Sequence, residues 1–203
     1  MDAIFLSASV PVPGRGDYHK SADPFLIQYA VRELVVAMIR DWKIVWGGHP
    51  AITPMILAIC QDLAIDYSNA VVLYQSRFFE DRFPQENKHF GNIVLVDAVP
   101  GDREASLLRM REQMLSRQDL RAAVFIGGME GVEVEYALFT RFHPHAKALP
   151  VAAPGGAALH LAERLDGYDE HGSHRVDFAR LFRTELGLPV ASSITNTSGN
   201  YDK

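Results

Sequence analysis

The sequence contains a single cysteine, Cys60, and this excludes any disulfide within one chain. The cysteine ends an apolar run that begins at Met55, which is typical of a small buried side chain. Because no disulfide framework is possible, the sequence favours a protein of a reducing compartment.

Long apolar runs are also lacking. No stretch of about 18 apolar residues occurs, which excludes a membrane-spanning helix. The segment Met1–Ser7 has no positive charge and is too short in its apolar part to resemble a signal peptide. We therefore expect a cytoplasmic protein without a membrane partner.

Basic clusters and several well-known motifs are missing as well. The formal net charge is -5 and no block of five basic residues occurs, so nucleic acid is not an expected partner. The chain lacks Gly-Lys-Ser/Thr, the dinucleotide-binding glycine fingerprint and Gly-x-Ser-x-Gly. These absences argue against P-loop phosphoryl transfer, an ordinary nicotinamide dehydrogenase and a serine nucleophile on a strand-to-helix turn.

What the sequence does contain is a regular alternation of apolar strands and amphipathic helices. This alternation predicts an α/β, Rossmann-like three-layer fold with a mostly parallel sheet of about six strands flanked by helices. A length of 203 residues fits one such core, and we expect a single domain over 1–190 with a loose tail over 191–203. The predicted strands are Ala3–Ser7, Lys43–Trp46, Ala70–Tyr74, Asn92–Val96, Ala122–Ile126 and Ala148–Ala152.

Local signals refine this outline. Asp23 and Pro24 predict a helix start through a side-chain cap and a proline in the first turn. Pro150 indicates an edge strand or an early strand end. The segments 11–21 and 75–90 lack clear periodicity and are predicted as loops, and a last helix is expected from near Arg175 to Leu186.

Three Gly-Gly pairs lie at or just beyond strand ends: Gly47–Gly48, Gly127–Gly128 and Gly155–Gly156. Such a turn lets the backbone approach a ligand, and the following helix N-terminus favours an anion such as phosphate. For one pair, tight packing of helix on strand is at least as good an explanation. Three pairs along one sheet edge favour binding, because ligands of parallel sheets bind at the carboxyl ends of the strands.

Three segments together resemble the SLOG superfamily: Phe5–Ser9, Gly47–Pro54 and Gly127–Glu135. This superfamily unites LOG-type cytokinin nucleotide phosphoribohydrolases, DprA-like proteins, the N-terminal ligand-binding domains of TRPM channels and nucleotide-sensing domains of antiphage systems such as Thoeris. The resemblance covers roughly residues 3–165 and depends on the order and spacing of the segments. It implies a Rossmann-like domain that binds a nucleotide-type small molecule.

The LOG-type enzymes carry a Pro-Gly-Gly-x-Gly-Thr-x-x-Glu loop and an arginine on a preceding helix. Matched by position, Glu135 corresponds to the acid and Arg111 to the arginine, although Arg109 is close. In the enzymes these groups act on the N-glycosidic bond of a nucleoside monophosphate, where a carboxylate can stabilise the sugar cation and an arginine can hold phosphate. Glu135 and Arg111 are therefore the catalytic candidates if the chain is an enzyme.

Departures from the enzyme pattern shift the expectation toward sensing. Ile126 replaces the proline, Glu130 is an additional residue, and Val132 replaces the threonine. The resemblance then implies a sensor of NAD-derived, ADP-ribose or cyclic ADP-ribose-like signals, as in antiphage defence. We also expect a homodimer or larger assembly, formed through the helices; a separate effector chain, an excised domain and a small enzyme all stay open.

The site predicted from these arguments lies at the glycine turns. Glu135 is expected to enter it, whereas Glu133, two residues away on the helix, is expected to face solvent. Ser7 and Ser9 are interpreted as hydrogen-bond donors to a ligand or as loop caps, and His49 as a ligand contact or a helix-entry hydrogen bond. The predicted ligand-binding residues are Ser7, Ser9, Gly47, Gly48, His49, Gly127, Gly128, Met129, Glu130, Gly131, Gly155 and Gly156.

Further residues admit two interpretations. Arg77–Phe79 and Arg82–Phe83 combine cations with aromatic rings, which suits a base or a phosphate, but packing against the sheet edge is favoured. Asp97 suits either a ribose hydroxyl or a cap of the next turn.

Eight histidines raise the question of a metal. The closest clusters, His143–His145 and His171–His174, lie in polar turns without a cysteine or a His-Glu-x-x-His motif. Solvated loop histidines are the favoured interpretation, and neither a metal nor a cofactor is expected.

Overall fold

Six strands form one sheet in the computed structural model, which describes residues 1–64, 70–169 and 175–187. The strand order is β4-β3-β2-β1-β5-β6, and every pairing is parallel. The predicted α/β, Rossmann-like arrangement is confirmed. The strands are β1 (Ala3–Ser9), β2 (Lys43–Trp46), β3 (Val71–Ser76), β4 (Asn92–Val96), β5 (Leu120–Gly127) and β6 (Lys147–Val151).

Helices cover both faces of this sheet. The helices that the structure describes are α1 (Tyr18–Ser21), α2 (Pro24–Met38), α3 (Thr53–Asp62), α4 (Arg103–Leu115), α5 (Glu130–Phe142), α6 (Gly156–Ala162) and α7 (Phe178–Glu185). Two 3-10 helices, Arg77–Arg82 and Gln85–His89, connect β3 to β4.

The order in which strands are added to the sheet reverses between β1 and β5. From β1 the chain builds outward through β2 and β3 to β4, and it then returns to place β5 on the other side of β1. Connections that diverge at such a point leave a crevice beyond the carboxyl ends of the strands. The topology therefore places the ends of β1 and β5 at the expected position of a ligand site.

Side-chain alternation along β1 separates two apolar cores. Ile4 and Leu6 pack with α2, α3 and α7, whereas Ala3 and Phe5 pack with α4, α5 and α6. Because alternate residues of a strand share a face, Ser7 lies on the side of Phe5. The end of β1 thus directs a serine toward the layer that contains α4 and α5.

The start of α2 follows the predicted capping signal. The Asp23 side chain accepts hydrogen bonds from the backbone N–H groups of Phe25 at 2.8 Å and Leu26 at 3.1 Å, and Pro24 occupies the first helical position. A capped N-terminus of this kind stabilises the helix by about 1 kcal/mol.

Short elements account for the differences from the predicted outline. The stretch 75–90 is not a loop: its first two residues extend β3, and most of the rest forms the two 3-10 helices. The stretch 11–21 contains α1, a single turn. Helices this short display no repeating apolar face, which explains why periodicity does not reveal them.

The two chain-end predictions have different outcomes. Pro150 lies in β6, which is an edge strand as expected. The last helix covers only Phe178–Glu185, and the predicted tail over 191–203 lies outside the described residues.

Cys60 is fully buried in α3, and burial raises the pKa of its thiol to about 11.

None of the helices within the described ranges is long and apolar enough to span a membrane.

A close backbone crossing holds the turn before α6 against the end of β5. The N–H of Ala157 donates to the carbonyl of Gly128 at 3.0 Å, and the N–H of Gly128 donates to the carbonyl of Ser9 at 2.8 Å. A Cβ atom on Gly156 would lie 2.8 Å from the carbonyl carbon of Gly127, and the φ angle of Gly156 is +69°. Only glycine allows this approach without movement of the neighbouring backbone.

We expect Gly156→Ala to lower the free energy of unfolding by about 2 to 4 kcal/mol, because left-handed strain adds to a backbone clash. Gly101→Ala is the matched control, since Gly101 has a φ of +70° but open space around its Cα. That control should lose only about 1 kcal/mol in urea denaturation, the cost of the φ angle alone. Equal losses in the two variants would contradict the packing role of Gly156.

Candidate functional site

A cavity of about 410 Å³ opens at the carboxyl edge of the sheet. It is lined by the ends of β1, β2 and β3, by the first 3-10 helix, and by α4 and α5. Its volume lies within the range of small-molecule sites in proteins.

Glu135 forms the polar centre of one cavity wall. Its Oε2 accepts a hydrogen bond from the Ser7 hydroxyl at 2.5 Å, and its Oε1 accepts one from Nε of Arg111 at 3.1 Å. The side chains of Arg111 and Glu135 are only 13% and 15% exposed. A partly buried ion pair of this kind has a fixed geometry, because both groups would otherwise lose hydration without compensation.

Gly131 makes room for the arginine of this pair. A Cβ atom at position 131 would lie 2.7 Å from Nη2 of Arg111, closer than side-chain atoms normally approach. The glycine in the first turn of α5 therefore allows the guanidinium to lie directly against the helix backbone.

Glu130 and Arg15 form an ion pair across the cavity rim, between the first turn of α5 and the loop before α1. Burial is the largest single influence and acts to raise the pKa of Glu130. The hydrogen bond from Arg15, a backbone hydrogen bond and the positive charges of Arg15 and Arg103 together outweigh burial, and the pKa is lowered. Met129, which precedes α5, is buried and also lines the cavity. The N-cap position of α5 is Met129, whose side chain does not accept a capping hydrogen bond.

The Gly47–Gly48 turn forms another part of the cavity wall. The buried side chain of Gln75 holds the turn by donating a hydrogen bond from Nε2 to the Gly47 carbonyl at 2.8 Å. His49 follows and lines the cavity, while its Nδ1 accepts a hydrogen bond from the Ala51 N–H at 3.2 Å. Both interpretations of His49 therefore have a structural basis.

His49 is held in its neutral form. Burial lowers the pKa of its imidazole, and the positive charge of Arg15 lowers it further. An Nδ1 that accepts from a backbone N–H carries no proton, so the neutral ring is protonated at Nε2.

The structure brings most of the predicted site residues together around the cavity. The predicted residues that line it are Ser7, Ser9, Gly47, Gly48, His49, Arg111, Met129, Glu130, Gly131 and Glu135. Their contact with a ligand stays a prediction.

Four predicted glycines do not line the cavity. Gly156 packs against Gly127 and Gly128 at the backbone crossing, and Gly155 lies against the backbone of Ser21 and Ala22. These two Gly-Gly pairs support α5 and α6 against β5, which is the packing interpretation considered for each pair.

Among the open alternatives, Glu133 and Glu135 of α5 have different surroundings. Glu133 faces away from the cavity toward Tyr18 and Arg164. Arg109 is exposed and lies outside the cavity, so Arg111 is the arginine that the structure pairs with Glu135. Asp97 is 85% exposed and pairs with Arg77 at 3.3 Å instead of reaching the cavity.

The histidine clusters do not converge on a site. His143 hydrogen-bonds through Nε2 to the Leu115 carbonyl at 2.7 Å, and His145 is exposed. His171–His174 lie outside the described residues. Within those residues, no group of three or more His, Cys, Asp or Glu side chains is placed to hold a metal ion.

Sequence reasoning missed several polar contributors to the cavity wall, among them Arg15, Gln75 and Arg103. Gln75 had a recognisable signal, because a polar residue at the end of an apolar strand marks the ligand-facing edge of a parallel sheet. Arg15 and Arg103 lie in segments with no sequence pattern that indicates whether their side chains face the cavity or solvent.

We expect His49 to contribute a pH-dependent component of stability. Because its folded pKa lies below the ordinary value of 6.5, the unfolded chain binds more protons just below pH 6.5. Stability conferred by neutral His49 is therefore present above that pH and is lost as the pH falls. Urea unfolding between about pH 7.5 and about pH 5.5 should show a smaller decline for His49→Gln than for the wild type.

The exposed His145 offers a control for the loss of an imidazole. A decline for His145→Gln as small as that for His49→Gln would assign the effect to the loss of any histidine and not to the position of His49. Parallel curves for the wild type and His49→Gln would show that His49 contributes no such component.

Comparisons with known proteins agree with this architecture. The X-ray structure of TM1055, a target of the Northeast Structural Genomics Consortium, resembles the chain with a TM-score of 0.52 at 12% identity, covering 85% of this chain and 89% of the other. At this identity the likeness shows the fold alone. No curated protein matches the sequence. The family model described as the SLOG cluster3 family matches residues 17–186, and because this is well over half of the 203 residues, the chain belongs to that nucleotide-related family.

Proposed function

We propose that the chain is a sensor domain that binds a nucleotide-derived ligand, of the NAD, ADP-ribose or cyclic ADP-ribose type, in the cavity beside Glu135. The observation that carries the proposal is the fixed Ser7–Glu135–Arg111 arrangement inside a cavity at the switch point of a Rossmann-like sheet. Membership in the SLOG cluster3 family supports it.

Glu135 suits the recognition of ribose. An ionised carboxylate is an acceptor with about four lone-pair sites, and Ser7 and Arg111 each occupy one. The remaining sites can accept from the adjacent hydroxyls of a ribose. Because two protein donors fix the carboxylate in advance, little side-chain entropy is lost when the sugar binds.

The loop before Glu135 favours binding over turnover. The additional residue Glu130 forms an ion pair with Arg15 at the rim, and this pair partly neutralises the side of the cavity where a phosphate would approach α5. Val132 is buried and packs beside Gly128, so an apolar side chain stands where the enzyme pattern has a hydroxyl. Both features fit recognition of a larger ligand better than hydrolysis of a monophosphate.

The same proposal includes how ligand binding would be transmitted to another protein. We propose a homodimer or larger assembly that acts on a separate effector chain. Light scattering of the purified chain, with and without ADP-ribose, tests the assembly. A monomer under both conditions would contradict it.

We expect ADP-ribose, cyclic ADP-ribose or NAD to raise the thermal unfolding temperature of the wild type, since a ligand that binds only the folded state stabilises it. Glu135→Gln should abolish or strongly reduce this shift, because an amide offers one acceptor oxygen in place of two and carries no charge to pair with that of Arg111. Glu133→Gln is the matched control on the same helix and should behave like the wild type.

A panel in which no nucleotide stabilises the wild type would overturn the sensor proposal. Equal shifts in Glu135→Gln and Glu133→Gln would overturn the assignment of Glu135.

The second candidate function is a LOG-like N-glycoside hydrolase acting on a nucleoside monophosphate or a related nucleotide. It is favoured by one observation, the placement of Arg111 and Glu135 in the same cavity wall at 3.1 Å. Under this function, Glu135 would stabilise the positive charge that develops on the sugar.

We expect the sensor to release no free base from AMP or ADP-ribose during prolonged incubation, as measured by liquid chromatography. Base release that disappears in Glu135→Gln and persists in Glu133→Gln would instead establish the hydrolase.

A further inference from the structure

The side chains that line the cavity include one more positive charge than negative charges. Among the described lining residues are four arginines and three glutamates, and each glutamate pairs with one arginine. The pairs are Arg15–Glu130, Arg103–Glu104 and Arg111–Glu135. For Arg82, the fourth arginine, the described part of the chain supplies no ion pair or hydrogen bond.

Arg82 is the last residue of the first 3-10 helix. Another residue of the same helix, Phe79, contacts Arg103 of α4. Phe79 of this helix lies beneath the guanidinium of Arg103, with 5.9 Å from Cζ to the ring centroid. An aromatic ring supports an arginine by its face and leaves the N–H donors at the edge of the guanidinium available.

The ion pair between Arg103 and Glu104 is exposed and weak, so Arg103 is available to a ligand. Glu104 is its immediate neighbour on α4, and the two side chains are 47% and 73% exposed. Exposed pairs of this kind contribute roughly 0 to 1 kcal/mol, so an incoming anion can replace the carboxylate at little cost.

We propose that Arg82 and Arg103 form a phosphate-binding subsite at the cavity mouth, distinct from the ribose-binding wall at Glu135. This inference rests on the proposed function and deepens it, because it assigns the two ends of the ligand. A hydroxyl-bearing sugar lies at Ser7 and Glu135, and a diphosphate lies between the two arginines.

The chemistry of the residues supports this division. Guanidinium groups bind phosphate oxygens through paired, charge-assisted hydrogen bonds, and two arginines can clamp a diphosphate. The charge of Arg111 is already paired with Glu135, so this wall offers a phosphate no unpaired cation, whereas the carboxylate oxygens can accept from sugar hydroxyls. A ligand with phosphate at one end and free hydroxyls at the other satisfies both surfaces, whereas a nucleoside lacks the anion.

The test compares two arginines of one helix. Arg77 and Arg82 both belong to the segment Arg77–Arg82, but Arg77 pairs with Glu80 at 2.9 Å and with Asp97 at 3.3 Å and does not line the cavity. Arg77→Gln therefore removes the same charge from the same helix without touching the proposed subsite.

Two probes are titrated into the wild type, Arg82→Gln and Arg77→Gln. For ADP-ribose, measured by calorimetry, Arg82→Gln should weaken the Kd by about tenfold to hundredfold, the effect of losing charge-assisted hydrogen bonds. Arg77→Gln should stay within about twofold of the wild type, the effect expected of a distant surface charge. For inorganic pyrophosphate, measured as a thermal shift, stabilisation should persist in Arg77→Gln and disappear in Arg82→Gln.

The outcomes separate this inference from the proposed function. Identical behaviour of Arg82→Gln and Arg77→Gln with both probes overturns the subsite, even if ADP-ribose binds and Glu135→Gln abolishes that binding. Pyrophosphate binding that depends on Arg82, without any nucleotide binding, supports the anion subsite and overturns the sensor. A Kd for adenosine that weakens in Arg82→Gln as much as the Kd for ADP-ribose would also count against a phosphate contact.

Discussion

The hydrogen bonds that Glu135 accepts from Ser7 and Arg111 join three elements at the carboxyl edge of the sheet. Ser7 belongs to β1, Arg111 to α4 and Glu135 to α5. A carboxylate and a guanidinium cannot be covered by apolar packing without a large desolvation cost, so the apolar core ends where this pair begins. The cavity opens beside this pair and is lined by residues of the same three elements.

The fold could be predicted from local patterns because its strands are continuous apolar runs. Lys43–Trp46 and Asn92–Val96 have the predicted boundaries in the structure, and the cap at Asp23 starts α2 as expected. The 3-10 helices after β3 could not be predicted in the same way. Their conformation depends on packing against α3 and the sheet, which composition and periodicity do not describe.

The candidate site could be predicted only in part. Ser7 at the end of β1 follows from the general rule for parallel sheets, and Glu135 and Arg111 follow from the family resemblance. The Gly-Gly pairs alone could not be assigned, because glycine is favoured both where a backbone faces a ligand and where two backbones pack closely. In the structure, Gly47–Gly48 lines the cavity, whereas Gly155–Gly156 packs against other backbone. Arg15 could not be placed, since its partner Glu130 is 115 positions away in the sequence.

Electrostatics at the cavity explains how an acidic chain can receive an anionic ligand. The chain as a whole has a formal charge of -5, yet the charges around the cavity leave one arginine without a carboxylate partner among the described residues. Local charge at close range outweighs a diffuse negative surface, which salt screens over about 10 Å. Arg82 and Arg103 therefore matter more for binding than the net charge does.

The burial of Cys60 makes the chain convenient for site-specific chemistry. With a pKa of about 11 and no solvent exposure, about one ten-thousandth of this thiol is ionised at pH 7, and reagents cannot reach it. A cysteine introduced on the surface, for example in the loop that contains Arg15, is therefore the reactive thiol in the chain. A fluorescent maleimide attached there reports on the cavity rim without removal of the native cysteine.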